Sequence, residues 1–169
     1  MLLFLLGMMG SGKTTLGQQL ARQLGYTFVD LDTYIEERTE KSIAELFEQQ
    51  GQERFRELER EALETVVQEY RQAVVATGGG APCFFDNMAF INQHGKSVFL
   101  DVPVEELAQR LLKSDLQVRP LLAGKTDTEL KSFLSKTLAA RRLFYDQATY
   151  KLAQSPYTAG ALVALLNKP

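Results

Sequence analysis

Residues 2–14 read Leu2-Leu3-Phe4-Leu5-Leu6-Gly7-Met8-Met9-Gly10-Ser11-Gly12-Lys13-Thr14. A short run that is apolar at every position reads as a strand buried on both faces of a parallel sheet. The next eight residues fit G-x-x-x-x-G-K-[ST], and Leu16, Leu20, Ala21 and Leu24 follow at helical spacing. Strand, loop and helix are the context in which this motif cradles a phosphate. Glycines let backbone N–H groups turn inward, and the helix N-terminus adds partial positive charge. Lys13 is therefore expected to neutralise the β- and γ-phosphates of a nucleotide, and Thr14 to offer its hydroxyl to Mg²⁺. Gly10, Ser11, Gly12 and Thr15 complete the expected nucleotide-binding set.

Working outward, strands and helices alternate. Further strands are expected at Tyr26–Val29, Ala73–Thr77, Ser97–Val102 and Thr149–Leu152, which predicts an α/β sheet with helices on both faces. Helices are expected over Thr14–Leu24, Thr33–Thr39, Ser42–Gln50, Gln52–Tyr70, Asp86–Gln93, Val104–Lys113, Thr126–Tyr145 and Thr158–Leu166. Ser42-Ile43-Ala44-Glu45 and Thr126-Asp127-Thr128-Glu129 are capping boxes. The stretch Thr33–Glu64 holds no strand and reads as an insertion beside the sheet edge. His94-Gly95 reads as a helix end.

The chain has 169 residues, 45% apolar and 24% charged, which fits one domain with one sizeable core. Its net charge of 19 − 21 = −2 argues against a surface built to hold nucleic acid or an anionic membrane. One cysteine, Cys83, forbids an intrachain disulfide, and with one histidine, His94, there is no Cys/His zinc site. The apolar start is too short for a signal peptide or a membrane span, so a cytoplasmic protein is expected. Nothing in the sequence demands an oligomer, and a monomer is expected.

A phosphate loop does not say what is done with the nucleotide. A GTPase should carry Asn-Lys-x-Asp, whereas Asn167-Lys168 is followed only by Pro169. A motor ATPase should end an apolar strand on an acid, whereas Val74-Val75-Ala76-Thr77 runs into Gly78-Gly79-Gly80. The acids stand instead at Asp30 and Asp32, after the second strand. Ligands of open α/β sheets bind beyond the carboxyl ends of the strands, the edge that Asp30, Asp32 and the triple glycine share with the phosphate loop. That favours a small-molecule kinase. Arg56, in Gly51-Gln52-Glu53-Arg54-Phe55-Arg56, reads by itself as either a solvated helix residue or an acceptor ligand.

The whole set resembles the shikimate kinase family. The matching pieces are Gly7–Thr14, Asp30-Leu31-Asp32, Phe55-Arg56-x-x-Glu59, Gly78-Gly79-Gly80, Arg119-Pro120-Leu121-Leu122, and Arg141 with Tyr145. The resemblance implies a three-layer α/β/α P-loop kinase fold with a five-stranded parallel sheet. It also implies a single kinase domain over 1–169, with a helical substrate-binding segment near 31–60 and a lid near 110–124. The implied reaction transfers the γ-phosphoryl group of ATP to the 3-hydroxyl of shikimate, in the chorismate and aromatic amino-acid pathway. By the same resemblance Asp32 contacts the shikimate hydroxyls and acts as base, kept ionised by Mg²⁺ and arginines. Arg56 and Arg141 hold the carboxylate, and the Gly78–Gly80 backbone meets the ligand. Arg119 reaches the ATP phosphates from the lid, Arg110 lies near adenine, and Thr14 and Asp30 serve Mg²⁺.

This chain departs from the family pattern at Leu143, where a proline is usual, and at Arg110, nine residues before Arg119 rather than about seven. Of the adjacent pair Arg141 and Arg142, the spacing to Tyr145 selects Arg141, with helix phase leaving Arg142 as the alternative. A gluconate kinase is the nearest rival reading, because its acceptor is also a hydroxylated carboxylate. A catalytically silent nucleotide-binding regulator is a third, but would be expected to lack Lys13, Asp32 or the lid arginine. Cys83, His94 and Phe84-Phe85 read as structural. Phe47 and Phe55 read equally as pocket wall or core.

Overall fold

The computed structural model describes residues 1–114 and 121–167. Five parallel strands form one sheet: β1 (Leu2–Leu6), β2 (Thr27–Asp30), β3 (Ala73–Ala76), β4 (Gly95–Leu100) and β5 (Tyr150–Leu152), in the order β2-β3-β1-β4-β5. The central strand β1 is buried at all its positions. Alternate residues of a strand face opposite sides. Leu2, Phe4 and Leu6 accordingly join one core, and Leu3 and Leu5 a second.

The second core is closed by α1 (Lys13–Leu24) and α7 (Ala159–Leu166). The first is closed by α2 (Leu31–Thr39), α3 (Ile43–Glu69), α4 (Asn87–His94), α5 (Val104–Leu112) and α6 (Asp127–Tyr145). Helices on both faces of a parallel sheet make the expected three layers. Among the described residues, no helix is long and apolar enough to cross a membrane.

Register brings the strand ends together. Leu5 of β1 and Asp30 of β2 both lie opposite Ala76 of β3. Gly7, Leu31 and Thr77 therefore leave the sheet at one edge, and the loops that follow share one space. Helix α2 starts two residues earlier than the sequence suggests because Asp30 caps it, its Oδ1 accepting from the Asp32 and Thr33 N–H groups. Both capping boxes are present, at the starts of α3 and α6.

Strands β2 to β5 shift by one or two residues at one or both ends relative to the sequence reading. Strand β4 begins at Gly95, not Ser97, and ends at Leu100. Gly95 lies opposite Leu2, and a Cβ there would come within 2.5 Å of the Leu2 carbonyl oxygen. The glycine that reads as a helix end does cap α4, its N–H donating to the Ile91 carbonyl, and it is also a close-packed strand start. The two helices expected on either side of Gly51 are present as the two parts of α3, broken at Gly51, which has φ 79° and ψ 173° while its neighbours stay helical.

That conformation is nearly confined to glycine, and a Cβ at Gly51 would meet nothing within 4 Å. Gly51→Ala should therefore lose about 1–3 kcal/mol of stability through backbone strain alone. Urea unfolding followed by far-UV circular dichroism measures this. An unchanged midpoint would mean that the break can straighten without cost.

Candidate active site

An open cleft of about 930 Å³ runs along the strand ends. One end is the phosphate loop. Gly12 stands in the left-handed region (φ 93°) as the last residue before α1, where its backbone turns into the helix. Gly10, Gly12, Lys13, Thr14 and Thr15 all line the cleft. Lys13 Nζ donates to the Gly7 and Met8 carbonyls at 2.8 and 2.9 Å, inside the curl of its own loop. Ser11, expected in the nucleotide-binding set, turns its side chain away from the cleft. It is fully buried, its Oγ has no hydrogen-bond partner among the described residues, and a Cβ at Gly7 would meet that Oγ at 2.9 Å.

Thr14 and Asp30 stand side by side at the mouth, with the threonine hydroxyl donating to Asp30 Oδ2 at 2.8 Å. Oδ1 is committed to capping α2, so Oδ2 is the oxygen turned to the cleft. The pair offers hard oxygen donors. Among the described residues no group of three or more His, Cys, Asp or Glu side chains makes a metal cage. Mg²⁺ does not need one, because it commonly takes one or two protein oxygens and completes its shell with phosphates and water. The residues present fit that ion.

The other end of the cleft is built on Gly78-Gly79-Gly80, immediately after β3, and each glycine makes room for a different side chain. A Cβ on Gly78 would come within 2.7 Å of Glu59 Oε1 and 3.1 Å of Asp32 Oδ1. One on Gly79 would lie 2.8 Å from Arg141 Nη1, and one on Gly80 2.7 Å from both Arg56 Nη atoms. Asp32 comes from α2, Arg56 and Glu59 from α3, and Arg141 from α6, and all four line the cleft.

Burial, then the facing Asp30 carboxylate, push Asp32 upward against the pull of Lys13 and Arg56. Of the arginines expected to keep Asp32 ionised, Arg56 acts in that direction, but burial outweighs it. Glu59 is ion-paired to Arg56 at 2.6 Å, with only 1% of its side chain exposed against 13% for the arginine. Burial pushes the Glu59 carboxyl up to about 7, although Arg56 pulls it down.

Arg141 and Arg142 point to different places. Arg142 makes two bonds of 3.1 Å to the Asp101 carboxylate just past β4, and Lys151 of β5 reaches the same carboxylate at 3.1 Å. Burial alone would raise Asp101, but these two cations hold it below the ordinary carboxylate range. One residue back, Arg141 faces the triple glycine. The buried Tyr145, one turn on, donates to the Gly79 carbonyl at 2.5 Å. Burial pushes its phenol up to about 12, so it remains a donor.

Arg110 lines the nucleotide end, donating to the Gly10 carbonyl at 3.1 Å and pairing with Glu106 at 2.7 Å. Tyr157 and Thr158, which no sequence motif marks, line the cleft beside it. Phe47 and Phe55 prove to be a pair with ring centroids 4.5 Å apart, both on the cleft wall. Arg119 lies outside the described residues, as does the part of the expected lid from 115 to 120. His94 Nδ1 is 2.8 Å from the Phe90 carbonyl at the end of α4, away from the cleft. Sequence reasoning assigned no role to Glu59 or Tyr145. The Arg56-x-x-Glu59 spacing combined with apolar neighbours is the signal that could have found the first.

The family model for shikimate kinase matches residues 9–164. A shikimate kinase of Bacteroides thetaiotaomicron is 52% identical over 148 residues, which are 88% of this chain and 83% of the relative. The crystal structure of a shikimate kinase from Bacteroides thetaiotaomicron has a TM-score of 0.88 at 46% identity, covering 98% of this chain and 95% of that one. A shikimate kinase from Acinetobacter baumannii, solved in complex with shikimate, gives 0.84 at 35% identity, covering 98% and 89%. The matched span runs from inside the phosphate loop to α7 and takes in all three walls of the cleft, and on that evidence the chain belongs to the shikimate kinase family.

Proposed function

We propose that the protein is a shikimate kinase, transferring the γ-phosphoryl group of ATP to the 3-hydroxyl of shikimate, in the chorismate and aromatic amino-acid pathway. The observation that carries this reading is the convergence of Asp32, Arg56 and Arg141 on one triple glycine, in the same cleft as the phosphate loop. The reading includes one kinase domain over 1–169, a substrate-binding segment near 31–60, a lid near 110–124 with Arg119 reaching the ATP phosphates, and a cytoplasmic monomer.

Phosphoryl transfer is mainly positioning and charge stabilisation. The loop residues Gly10–Thr15 hold the phosphates by backbone N–H groups, and Lys13 exchanges its loop carbonyls for phosphate oxygens. Arg110, Tyr157 and Thr158 bound the nucleotide end. Thr14 and Asp30 would hold Mg²⁺, which when bound neutralises phosphate charge. At the acceptor end, planar arginine forks suit a carboxylate better than ammonium groups do. Arg56 and Arg141 bind the shikimate carboxylate from two sides, with the Gly78–Gly80 backbone against the ring.

Asp32 takes the proton that the 3-hydroxyl loses as its oxygen bonds to phosphorus. A carboxyl raised by burial is better matched to that task near neutral pH than an ordinary one. Closure of the lid keeps water from taking the phosphoryl group. The functional test is a coupled ADP-release assay with shikimate, with gluconate and with no acceptor. Turnover with shikimate alone is expected, and a gluconate preference or acceptor-independent hydrolysis would overturn the reading.

Two variants probe the acceptor end. Asp32→Asn keeps shape and hydrogen bonding but cannot accept the proton, so kcat should fall by about 10²–10⁴ with nucleotide Kd nearly unchanged. A loss confined to shikimate KM would instead mean that Asp32 only orients the hydroxyl. Gly80→Ala acts on Arg56 through the backbone. The atoms its Cβ would strike are the guanidinium nitrogens of Arg56, which must then leave the position in which they pair with Glu59. The melting temperature should fall, because the buried Glu59 loses its partner, and shikimate KM should rise about tenfold or more, as expected for losing a charge-assisted contact of ~1.5–3 kcal/mol. An unchanged KM would take Arg56 out of the acceptor site.

A further inference from the structure

We infer that Phe84 is a positioning residue for the acceptor arginine: its ring is the shelf on which the Arg56 guanidinium rests, so that the outer edge of that group is presented to the substrate carboxylate. This rests on the function proposed above.

The Arg56 guanidinium carbon stands 4.2 Å from the centroid of the Phe84 ring and 5.3 Å from that of Phe55. Its Nη1 is paired with Glu59, and Nε is buried with no hydrogen-bond partner among the described residues. An arginine so withdrawn from water needs compensation on its faces as well as its edges. An aromatic face supplies it, because its electron-rich surface attracts the cation most where water is excluded. With Glu59 at one edge and the ring beneath, the guanidinium loses its freedom to rotate. A planar fork must be held in this way to meet a carboxylate with two parallel bonds.

The shelf is itself braced. Phe84 ends a short 3₁₀ turn, Ala81–Cys83, in which the Cys83 N–H donates to the Gly80 carbonyl at 2.9 Å. The buried Asn87 donates through its backbone N–H to the Phe84 carbonyl at 3.1 Å and through Nδ2 to the Ala81 carbonyl at 2.8 Å. Arg60, one helical turn beyond Arg56 on α3, donates to Asn87 Oδ1 at 3.1 Å and lies 4.3 Å from the Phe90 ring centroid. Two arginines a turn apart on α3 thus lie on two rings of one segment. Phe84 stands behind Arg56 and not on the cleft wall. It therefore acts on the acceptor through the arginine, and the pairing Phe84-Phe85 after Pro82 is more than the packing its sequence suggests.

The test compares Phe84→Leu, which keeps apolar bulk, with Phe84→Tyr, which keeps the ring. Phe84→Leu should raise shikimate KM about three- to tenfold, with kcat and ATP KM within about twofold of wild type. Phe84→Tyr should restore the wild-type KM. In an Arg56→Ala background, Phe84→Leu should change kcat/KM for shikimate by less than about twofold, because the group it acts through is gone. The resonance of the Arg56 Nε proton reads the stacking without substrate: ring-shielded in wild type and Phe84→Tyr, and moved downfield in Phe84→Leu. A wild-type shikimate KM in Phe84→Leu, an equal loss of shikimate and ATP affinity, or an unmoved Nε resonance would overturn the inference. A wild-type protein that does not phosphorylate shikimate would overturn the function and the inference together, whereas an active wild type with an indifferent Phe84→Leu overturns the inference alone.

Discussion

The close approach of four side chains, Asp32, Arg56, Glu59 and Arg141, to the backbone after β3 governs one end of the cleft. Strand β3 lies between β2 and β1, so its end is where residues from both neighbouring strand ends can meet. Space is the limiting quantity there. A single methyl group at any of Gly78, Gly79 or Gly80 would come within 2.8 Å of a carboxylate or guanidinium atom. The side chains come from three different helices, α2, α3 and α6, and meet different glycines, so removing one collision would not relieve the others. Three consecutive glycines are the simplest local solution. They carry a cost in chain entropy, offset by the buried strand before them and the braced turn after them.

Given that space, the side chains must still be aimed, and two devices far apart in sequence do so. Arg142 closes a two-bond pair with Asp101, and Tyr145 bonds Gly79 from the same helix. Together they fix the rotation of α6 about its axis, and Arg141 is thereby left facing the cleft. On α3 the non-helical Gly51 lets the chain turn between Phe47 and Phe55, whose rings close together on the cleft wall. Arg56 then falls between Glu59 and Phe84. The site is thus a product of helix phase as much as of residue identity.

This explains what is legible in the sequence. Strand β1 and the phosphate loop are readable because burial on both faces leaves an unbroken apolar run, and because the cradle demands particular residues at fixed spacing. Gly51 is readable as a break, and the order of strands and helices follows from their alternation. Gly95 is readable as a helix end, and it caps α4, but its second role as the first residue of β4 is hidden because a glycine at a helix end and one required by close strand packing look alike. Glu59 goes unassigned because arginine and glutamate three apart on a helix are common on solvated faces, and only the fold reveals that this pair is buried. The choice between Arg141 and Arg142 turns on Asp101, which is distant in sequence and belongs to no motif. Phe84 reads as packing because a ring that fills a gap and one that carries a cation have the same local signature.

Charge in the cleft follows a rule different from that of the chain as a whole. Among the described residues, Lys13, Arg56, Arg110 and Arg141 line it against Asp30, Asp32 and Glu59. That is a formal excess of one positive charge, 4 − 3, in a protein whose net charge is −2. Burial shifts Glu59 toward its neutral form and so increases the excess. Two highly charged ligands, a nucleotide and a carboxylate, are to meet here, and their mutual repulsion must be overcome before any chemistry begins. Concentrating fixed cations at both ends offsets it, while the carboxylates between them keep the arginines from collapsing onto one another. In the proposed reaction a single base works between two anions, and the field around it is set by residues held from the sheet and the helices.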